Sequence, residues 1–177
     1  MAQPDAEGCF SLLRTPAAKL LNHCQGLIAD PERMWWPHIG WLASPLNLSW
    51  IDEEPALHEV QRISPIARLG ILKLPAKWVY SWHRDQTRQA CINLLVSSDH
   101  HSHTLFGEPV NSTTFQTLEL RYPPGRYVLF NNQIPHTVIN LDGDRYLLSL
   151  EFADPTPYDV LRRRFLAARL LETNASP

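Results

Sequence analysis

Two histidines and one aspartate of this chain are spaced as the ligands of a metal ion could be. His83 and Asp85 form a His-x-Asp pair, and His136 follows about fifty residues later. The chain has eight histidines but only three cysteines, so metal chemistry here would use imidazole and carboxylate ligands rather than thiolates. Two histidines and one carboxylate form the facial triad that suits nonheme Fe(II) and leaves coordination positions open.

The His-x-Asp pair ends an aromatic-rich segment, residues 77–83, that is typical of a β-strand. Side chains alternate between the faces of a strand, which predicts Tyr80 and Trp82 on one face and His83 with Asp85 on the other. The Cα atoms of His83 and Asp85 would then lie about 6.5 Å apart. That spacing lets both side chains converge on one ion.

His136 begins a segment that leads to Asp142-Gly143, a strong signal for a type I′ hairpin turn. A two-residue loop would pair residues 136–141 with residues 144–149. This register would place four polar side chains on one face: His136, Asn140, Arg145 and Ser149. His136 and Arg145 would be separated by roughly 13 Å along the strand, so both could reach a small dianion between them.

The order His83-x-Asp85, His136, Arg145 resembles that of the Fe(II)/2-oxoglutarate-dependent dioxygenases. Within that superfamily, residues 83–95 and 125–140 are most similar to the aspartyl/asparaginyl β-hydroxylase-like branch. The resemblance covers residues 66–152, about half of the chain, and rests on the combination and order of the motifs.

The resemblance implies that His83, Asp85 and His136 ligate Fe(II) at the catalytic centre. It further implies that Arg145 binds the distal carboxylate of the co-substrate 2-oxoglutarate. The reaction it implies converts 2-oxoglutarate to succinate and CO₂ and hydroxylates a second substrate. An amino-acid or peptide side chain is the favoured target, with a small molecule or peptide as the partner.

Three further residues are candidates for contacting the co-substrate. Many relatives have a serine two residues after the arginine, where this chain has Leu147, and the next serine is Ser149. Arg88 supplies a second guanidinium that could bind 2-oxoglutarate or a substrate carboxylate, or could be structural. Asn93 could orient the keto acid or act as a hydrogen-bonded core amide.

Two other hypotheses fit parts of the sequence. His101, His103 and Glu108 have the ligand spacing of a first cupin motif, with His136 as the fourth ligand, but the glycines that frame cupin motifs are missing. With His100, they could instead form a polar loop at the pocket mouth. The second alternative is a noncatalytic jelly-roll module that binds a small acid through Arg145.

The secondary structure predicted around these residues indicates a mainly β fold. Seven short strands are predicted at residues 66–74, 77–83, 90–96, 117–122, 126–130, 136–141 and 145–152. Such a series favours a sandwich or barrel, and the resemblance makes it a double-stranded β-helix, the cupin-like jelly roll. Apolar periodicity adds an N-terminal helix at 10–29 and a C-terminal helix at 156–172, in a single domain spanning 1–177.

Charge and composition restrict the partners. A net charge of -2 provides no positive field for nucleic acid or an anionic membrane. The first residues show no basic segment before the apolar ones, no long apolar run is present, and three cysteines cannot all pair, so we expect a cytoplasmic protein. Substrate-binding residues are expected in two irregular segments, 34–65 with Trp35, Trp36 and Trp50, and 97–115.

Overall fold

The computed structural model describes residues 5–97, 101–109, 111 and 114–172. Within these ranges the chain forms four α-helices, α1 (Ala6–Cys9), α2 (Lys19–Ile28), α3 (Pro55–Ile63) and α4 (Tyr158–Ala167), and a 3₁₀ helix at Leu48–Ile51. None of these helices has the length and hydropathy needed to cross a bilayer. The strands in the same ranges are β1 (Phe10–Leu12), β2 (Trp36–His38), β3 (Trp41–Pro45), β4 (Ile66–Leu74), β5 (Trp78–His83), β6 (Ala90–Leu95), β7 (Ser102–Pro109), β8 (Phe115–Leu120), β9 (Val128–Asn131), β10 (His136–Asn140) and β11 (Arg145–Phe152).

The strands form two antiparallel sheets. The larger sheet has the order β1-β9-β6-β11-β4-β3-β2, and the smaller has the order β5-β10-β7-β8. Strands that follow one another in sequence often lie in different sheets, as expected for a jelly roll. The predicted mainly β, jelly-roll fold with a helix near each end is confirmed.

One face of the larger sheet carries the main hydrophobic core. Ile71 on β4 and Leu148 on β11 are paired and fully buried. They belong to the same cluster as Leu20 of α2, Leu57 of α3 and Phe165 of α4. The helices cover this face of the larger sheet, which is therefore its outer face. Side chains at the alternate positions of the same strands point the other way, toward the smaller sheet.

The predicted hairpin between β10 and β11 is wrong, because the two strands belong to different sheets. The side chain of Asn140 fixes this crossing by donating to the carbonyl oxygens of Leu74, Pro75 and Gly143, at 3.0, 2.9 and 2.8 Å. The Asp142-Gly143 turn therefore joins two facing sheets. His136 and Arg145 still point into one interior, because the inner faces of the sheets oppose each other.

The N-terminal helix is shorter than predicted. It begins at Lys19 rather than near residue 10, and residues 10–12 form the edge strand β1 beside β9. Pro16 explains the difference, since a proline disfavours helical geometry in the residue before it. At the other end, α4 covers Tyr158–Ala167, inside the predicted range of 156–172.

Helix α3 and strand β7 are the longest of the elements that lie in segments predicted to be irregular. Helix α3 starts with Pro55 in its first turn, a favourable place for proline, and buries Ala56, Leu57 and Val60. Strand β7 pairs with both β10 and β8. It is the longer of the two strands beside β10, which begins with the predicted metal ligand His136. Its histidine- and serine-rich start conceals the alternation that would have identified it.

The β2–β3 turn holds the two sheets together at the edge near β5. Gly40 has φ +77°, and a Cβ atom there would lie 2.6 Å from two ring carbons of Tyr80. Gly143 has a similar φ of +65° but open space around it. We expect Gly40→Ala to lower the free energy of unfolding by about 2 to 3 kcal/mol, and Gly143→Ala by about 1 kcal/mol. Urea denaturation measures both; equal losses would show that Tyr80 moves aside freely.

Candidate metal centre

The three predicted ligands meet where β5 ends and β10 begins. The two strands are antiparallel, with His136 opposite His83, and Asp85 follows β5 by two residues. The imidazole rings lie 4.2 Å apart between centroids. The structure thus brings together residues that are about fifty positions apart in the chain.

A β-bulge changes the face on which His83 lies. His136 and Val138 are two positions apart on β10, but their partners His83 and Tyr80 are three apart on β5. The extra residue reverses the alternation, so Tyr80 shares the face of His83, with ring centroids 4.1 Å apart. The prediction that Tyr80 and His83 face opposite sides is therefore wrong.

The donor atoms of the triad are close enough for one ion. Asp85 Oδ1 lies 3.4 Å from His83 Nε2 and 3.9 Å from His136 Nε2. One potential ligand atom from each residue lies within 4.8 Å of the others. Ligand atoms at right angles around a metal, with bonds of about 2.1 Å, are separated by about 3 Å, so only small shifts are required.

Backbone carbonyls orient both imidazoles. His83 Nδ1 is 2.7 Å from the carbonyl oxygen of Ser81, and His136 Nδ1 is 2.9 Å from that of Ile134. A carbonyl oxygen can only accept, so each Nδ1 carries the proton and donates it. Each Nε2 is then left with a lone pair directed toward Asp85, the arrangement found in metal-binding histidines.

The carboxylate of Asp85 is held through one of its oxygens. Arg88 donates to Oδ2 from Nε and Nη2, at 2.7 and 2.6 Å, and Asn132 Nδ2 donates to the same atom at 2.9 Å. Gln133 secures the loop by donating to the carbonyl oxygens of Asp85 and Arg88. Oδ1 consequently faces the two histidines.

His136 and Asp85 are in the protonation states that bind metal. Burial lowers the pKa of His136 to about 4, so its imidazole is neutral at neutral pH. Burial acts to raise the pKa of Asp85, but the neighbouring His83 side chain and the charge of Arg88 leave that pKa below its ordinary value. A neutral imidazole and an ionised carboxylate need lose no proton to ligate.

The contact from Arg88 gives a prediction about metal affinity. Replacing Arg88 by glutamine removes the guanidinium that fixes Asp85, and we expect affinity for Mn(II) to fall about 10- to 100-fold. Calorimetric titration measures this affinity. Arg121→Gln is the matched control, because Arg121 also pairs with a carboxylate, Glu119, away from the triad. Equal Mn(II) affinities in Arg88→Gln and Arg121→Gln would mean that Asp85 does not need the contact from Arg88 to bind the metal.

The triad opens into a narrow cavity between the sheets, about 50 Å³ in volume. Its walls include apolar side chains from both sheets, among them Trp41, Leu72, Val138 and Leu147. A molecule held there would touch its walls directly and be shielded from water. The remaining wall residues include all four predicted co-substrate contacts: Arg88, Asn93, Arg145 and Ser149.

Arg145 lies at the end of this cavity away from the triad. Its side chain is only 1% exposed and donates to Ser102 Oγ at 2.6 Å and Thr104 Oγ1 at 2.8 Å. Its guanidinium carbon is 5.4 Å from the ring centre of Tyr122. These contacts fix a positive charge at the cavity floor, four residues along β11 from Ser149, or roughly 13 Å.

The other predicted contacts lie between Arg145 and the triad or beside it. Ser149 Oγ is 3.4 Å from Arg88 Nη1, while Asn93 is buried on β6 opposite Ser149. Cys91 donates a weak hydrogen bond to Asn93 Oδ1 at 3.5 Å. Arg88 is therefore a neighbour of the triad, whereas Arg145 lies at the other end of the cavity.

The alternative histidine cluster does not come together with His136. His103 lies opposite Ile139, and its Nδ1 is 2.7 Å from Glu119 Oε1, while His101 is exposed. His100 and the side chain of Glu108 fall outside the described part of the chain. In the part that is described, the triad is the one group of three or more potential metal ligands.

Several residues that shape the site were not singled out from the sequence. Asn132 and Gln133 hold Asp85, and Ser102 and Thr104 hold Arg145. A possible signal was present for the first pair, which lies within the segment 125–140 that carries the family resemblance. The second pair lies on β7, which was predicted to be a loop.

The fold is shared with several solved structures, although no protein-family model and no curated protein matches the sequence. A prolyl hydroxylase from Trichoplax adhaerens, in complex with a hypoxia inducible factor peptide, has a TM-score of 0.59 and 13% identity, over 88% of this chain and 86% of its own. An oxidoreductase of the 2OG-Fe(II) oxygenase family from Burkholderia pseudomallei has a TM-score of 0.54 and 12% identity, over 75% and 76%. The nonheme α-ketoglutarate-dependent epimerase SnoN, from nogalamycin biosynthesis, has a TM-score of 0.54 and 12% identity, over 77% and 72%. At these identities the likeness establishes a common fold.

Proposed function

We propose that the protein is an Fe(II)- and 2-oxoglutarate-dependent oxygenase. The observation that carries this proposal is the convergence of His83, Asp85 and His136 beside one cavity, which both histidines and Arg145 line. The solved structures that share the fold add support, because they include a member of the 2OG-Fe(II) oxygenase family and a nonheme α-ketoglutarate-dependent epimerase. A fold alone can host many functions, so the geometry of the side chains is the stronger argument.

The donor set fits Fe(II). Two neutral imidazole nitrogens and one carboxylate oxygen are the ligands of nonheme iron oxygenases, and the three side chains leave the cavity side of an ion open. His83 and His136 would bind through Nε2 and Asp85 through Oδ1. When bound, iron and the keto acid supply the oxidising power, with one oxygen atom of O₂ going to succinate and the other to the product.

The side chains that line the cavity include groups that a chelating keto diacid would need. Arg145 would pair with the distal carboxylate through two parallel charge-assisted hydrogen bonds. Asn93 and Ser149 would contact the middle of the molecule, while Val138 and Leu147 would exclude water. A dry site strengthens the ion pair with Arg145 and protects the reaction from side chemistry.

Hydroxylation is the proposed outcome, with an amino-acid or peptide side chain as the favoured substrate. Prolyl hydroxylases and an epimerase share this fold, so the reaction class is proposed at the level of the superfamily. None of the three structures compared above is an aspartyl/asparaginyl hydroxylase, and we do not assign the chain to that branch. The thiols of Cys9, Cys24 and Cys91 are unpaired, which supports the proposed cytoplasmic location.

Turnover of 2-oxoglutarate tests the proposal. The purified protein with Fe(II), a reductant and air should convert 2-oxoglutarate to succinate and CO₂, at a low rate without the second substrate. Succinate is quantified by mass spectrometry against a sample in which Zn(II) replaces iron. Production of no more succinate than in the Zn(II) sample would contradict the proposal.

A further inference from the structure

A second depression, which we call the mouth groove, adjoins the metal centre and has a volume of about 250 Å³. Its wall includes Arg68, Gly70, Leu72, Arg88, Ser149 and Glu151. It shares Leu72, Arg88 and Ser149 with the inner cavity, so the two spaces adjoin. A molecule in the groove would therefore be next to the triad.

The direction of β11 places the mouth groove opposite Arg145. Arg145, Leu147, Ser149 and Glu151 alternate along the inner face of this strand. Arg145 lies about 13 Å before Ser149, and Glu151 lies about 7 Å beyond it. Under the proposed function, the keto acid fills the Arg145 side, so the molecule to be oxidised must approach from the side of Glu151.

The charged side chains in the mouth groove and at its border alternate in sign, and their formal charges sum to zero. Arg88 pairs with Asp85 on the inner side, and Arg68 pairs with Glu151 on the outer side. Glu151 is also close enough for its charge to act on Arg88. A ligand with a net charge would upset this balance, whereas a zwitterion would preserve it.

The ion pair between Arg68 and Glu151 is the one that a ligand can replace. Arg68 Nη1 is 3.4 Å from Glu151 Oε2, and the Arg68 side chain is 78% exposed, against 26% for Arg88. An exposed ion pair of this length contributes little stability. The ammonium of a ligand could take the place of Arg68 at Glu151, while Arg68 turns to meet the carboxylate of the same ligand.

Gly70 lies between these charges and the metal centre. It is opposite Ser149 on the neighbouring strand and has no side chain to block the way. Leu72 follows on the same face and offers an apolar contact. A ligand with its charged end at Arg68 and Glu151 would thus direct its side chain past Gly70 toward the triad.

We propose that the mouth groove binds the substrate to be oxidised and that this substrate is a free α-amino acid. This inference rests on the proposed function. The ammonium group pairs with Glu151, the carboxylate with Arg68, and the side chain points to the metal. An internal peptide residue has neither charge at its backbone and would leave both side chains without a new partner.

Direct binding tests the inference separately from activity. Each common protein amino acid and its N-acetyl amide is titrated by calorimetry into the protein loaded with Mn(II) and 2-oxoglutarate. At least one free amino acid should bind, and its blocked form should bind about tenfold more weakly or worse. Equal binding of the blocked form, or binding of none of the amino acids, would overturn the inference.

Glu151→Gln supplies the second readout, with Glu119→Gln as the matched control. Both glutamates pair with a cation and are similarly exposed, at 28% and 26%, but Glu119 lies away from the groove. Only Glu151→Gln should weaken amino-acid binding, by about tenfold or more. Equal affinity in both variants would reject the site. Succinate formation without any amino acid reports on the oxygenase itself, so its persistence would confine a failure to this inference.

Discussion

Replacing His136 by alanine is expected to abolish succinate formation and to lower Mn(II) affinity by more than about 100-fold. The loss of a ligand should exceed the 10- to 100-fold loss typical when a supporting residue is changed. His136 supplies one of three donor atoms, and the aromatic residues around it, Phe106 and Phe130, offer no substitute. Calorimetry with Mn(II) and mass spectrometry of succinate measure the two effects.

His103→Ala is the matched control for this experiment. His103 pairs with Glu119 away from the triad, so its loss should leave metal affinity and turnover unchanged. Because His136 is buried, thermal unfolding should first establish that the alanine variant folds. His83→Ala provides a half-buried second variant with the same expected loss. Unchanged turnover in His136→Ala would contradict the assignment of the metal site.

Replacing Arg145 by glutamine is expected to weaken 2-oxoglutarate binding about 100-fold while leaving metal affinity unchanged. A charge-assisted, two-pronged contact with a carboxylate contributes about 1.5 to 3 kcal/mol, and glutamine keeps the hydrogen-bonding character but not the charge. Ser102 and Thr104 would keep a polar neighbour. Titration of 2-oxoglutarate into the Mn(II)-loaded protein measures the change.

A comparison of ligands provides an independent check on Arg145. Pyruvate has the keto acid group but lacks the distal carboxylate, so it should bind the wild-type protein far more weakly than 2-oxoglutarate does. In Arg145→Gln the two acids should bind with similar affinity. If 2-oxoglutarate keeps its full advantage in the variant, the anchor is elsewhere, and Arg88 becomes the first alternative.

The sequence predicted strands well where an apolar-rich run is long. The predicted bounds of β4 and β11 agree with the structure, and both strands are rich in apolar residues over eight or more positions. It could not show which strands pair. The Asp142-Gly143 turn has the residues of a hairpin, yet Asn140 binds three carbonyls and directs the chain into the opposite sheet.

The three predicted metal ligands come together in the structure, but not by the strand geometry that the sequence predicted. His83, Asp85 and His136 converge as expected, although the alternation used for His83 fails at the bulge after Tyr80. A bulge depends on the partner strand and cannot be read from one segment. His136 and Arg145 line one cavity because two sheets face each other, although the predicted pairing of their strands was wrong.

The supporting residues were the hardest to predict. Asn132 and Gln133 act on Asp85 from a turn nearly fifty residues away, and Thr104 reaches Arg145 from a strand that begins with histidines and serines. Such contacts depend on tertiary packing, whereas two of the three ligands, His83 and Asp85, belong to a short motif. The reactive groups of a site can therefore be predicted from the sequence more readily than the residues that orient them.

A crystal structure of the protein with Mn(II) and 2-oxoglutarate tests the central claim most directly. Anomalous scattering should locate one manganese ion bound by His83 Nε2, Asp85 Oδ1 and His136 Nε2. The keto acid should chelate that ion and place its distal carboxylate on Arg145. A manganese ion bound at His101 and His103 instead, with none at the triad, would contradict the account.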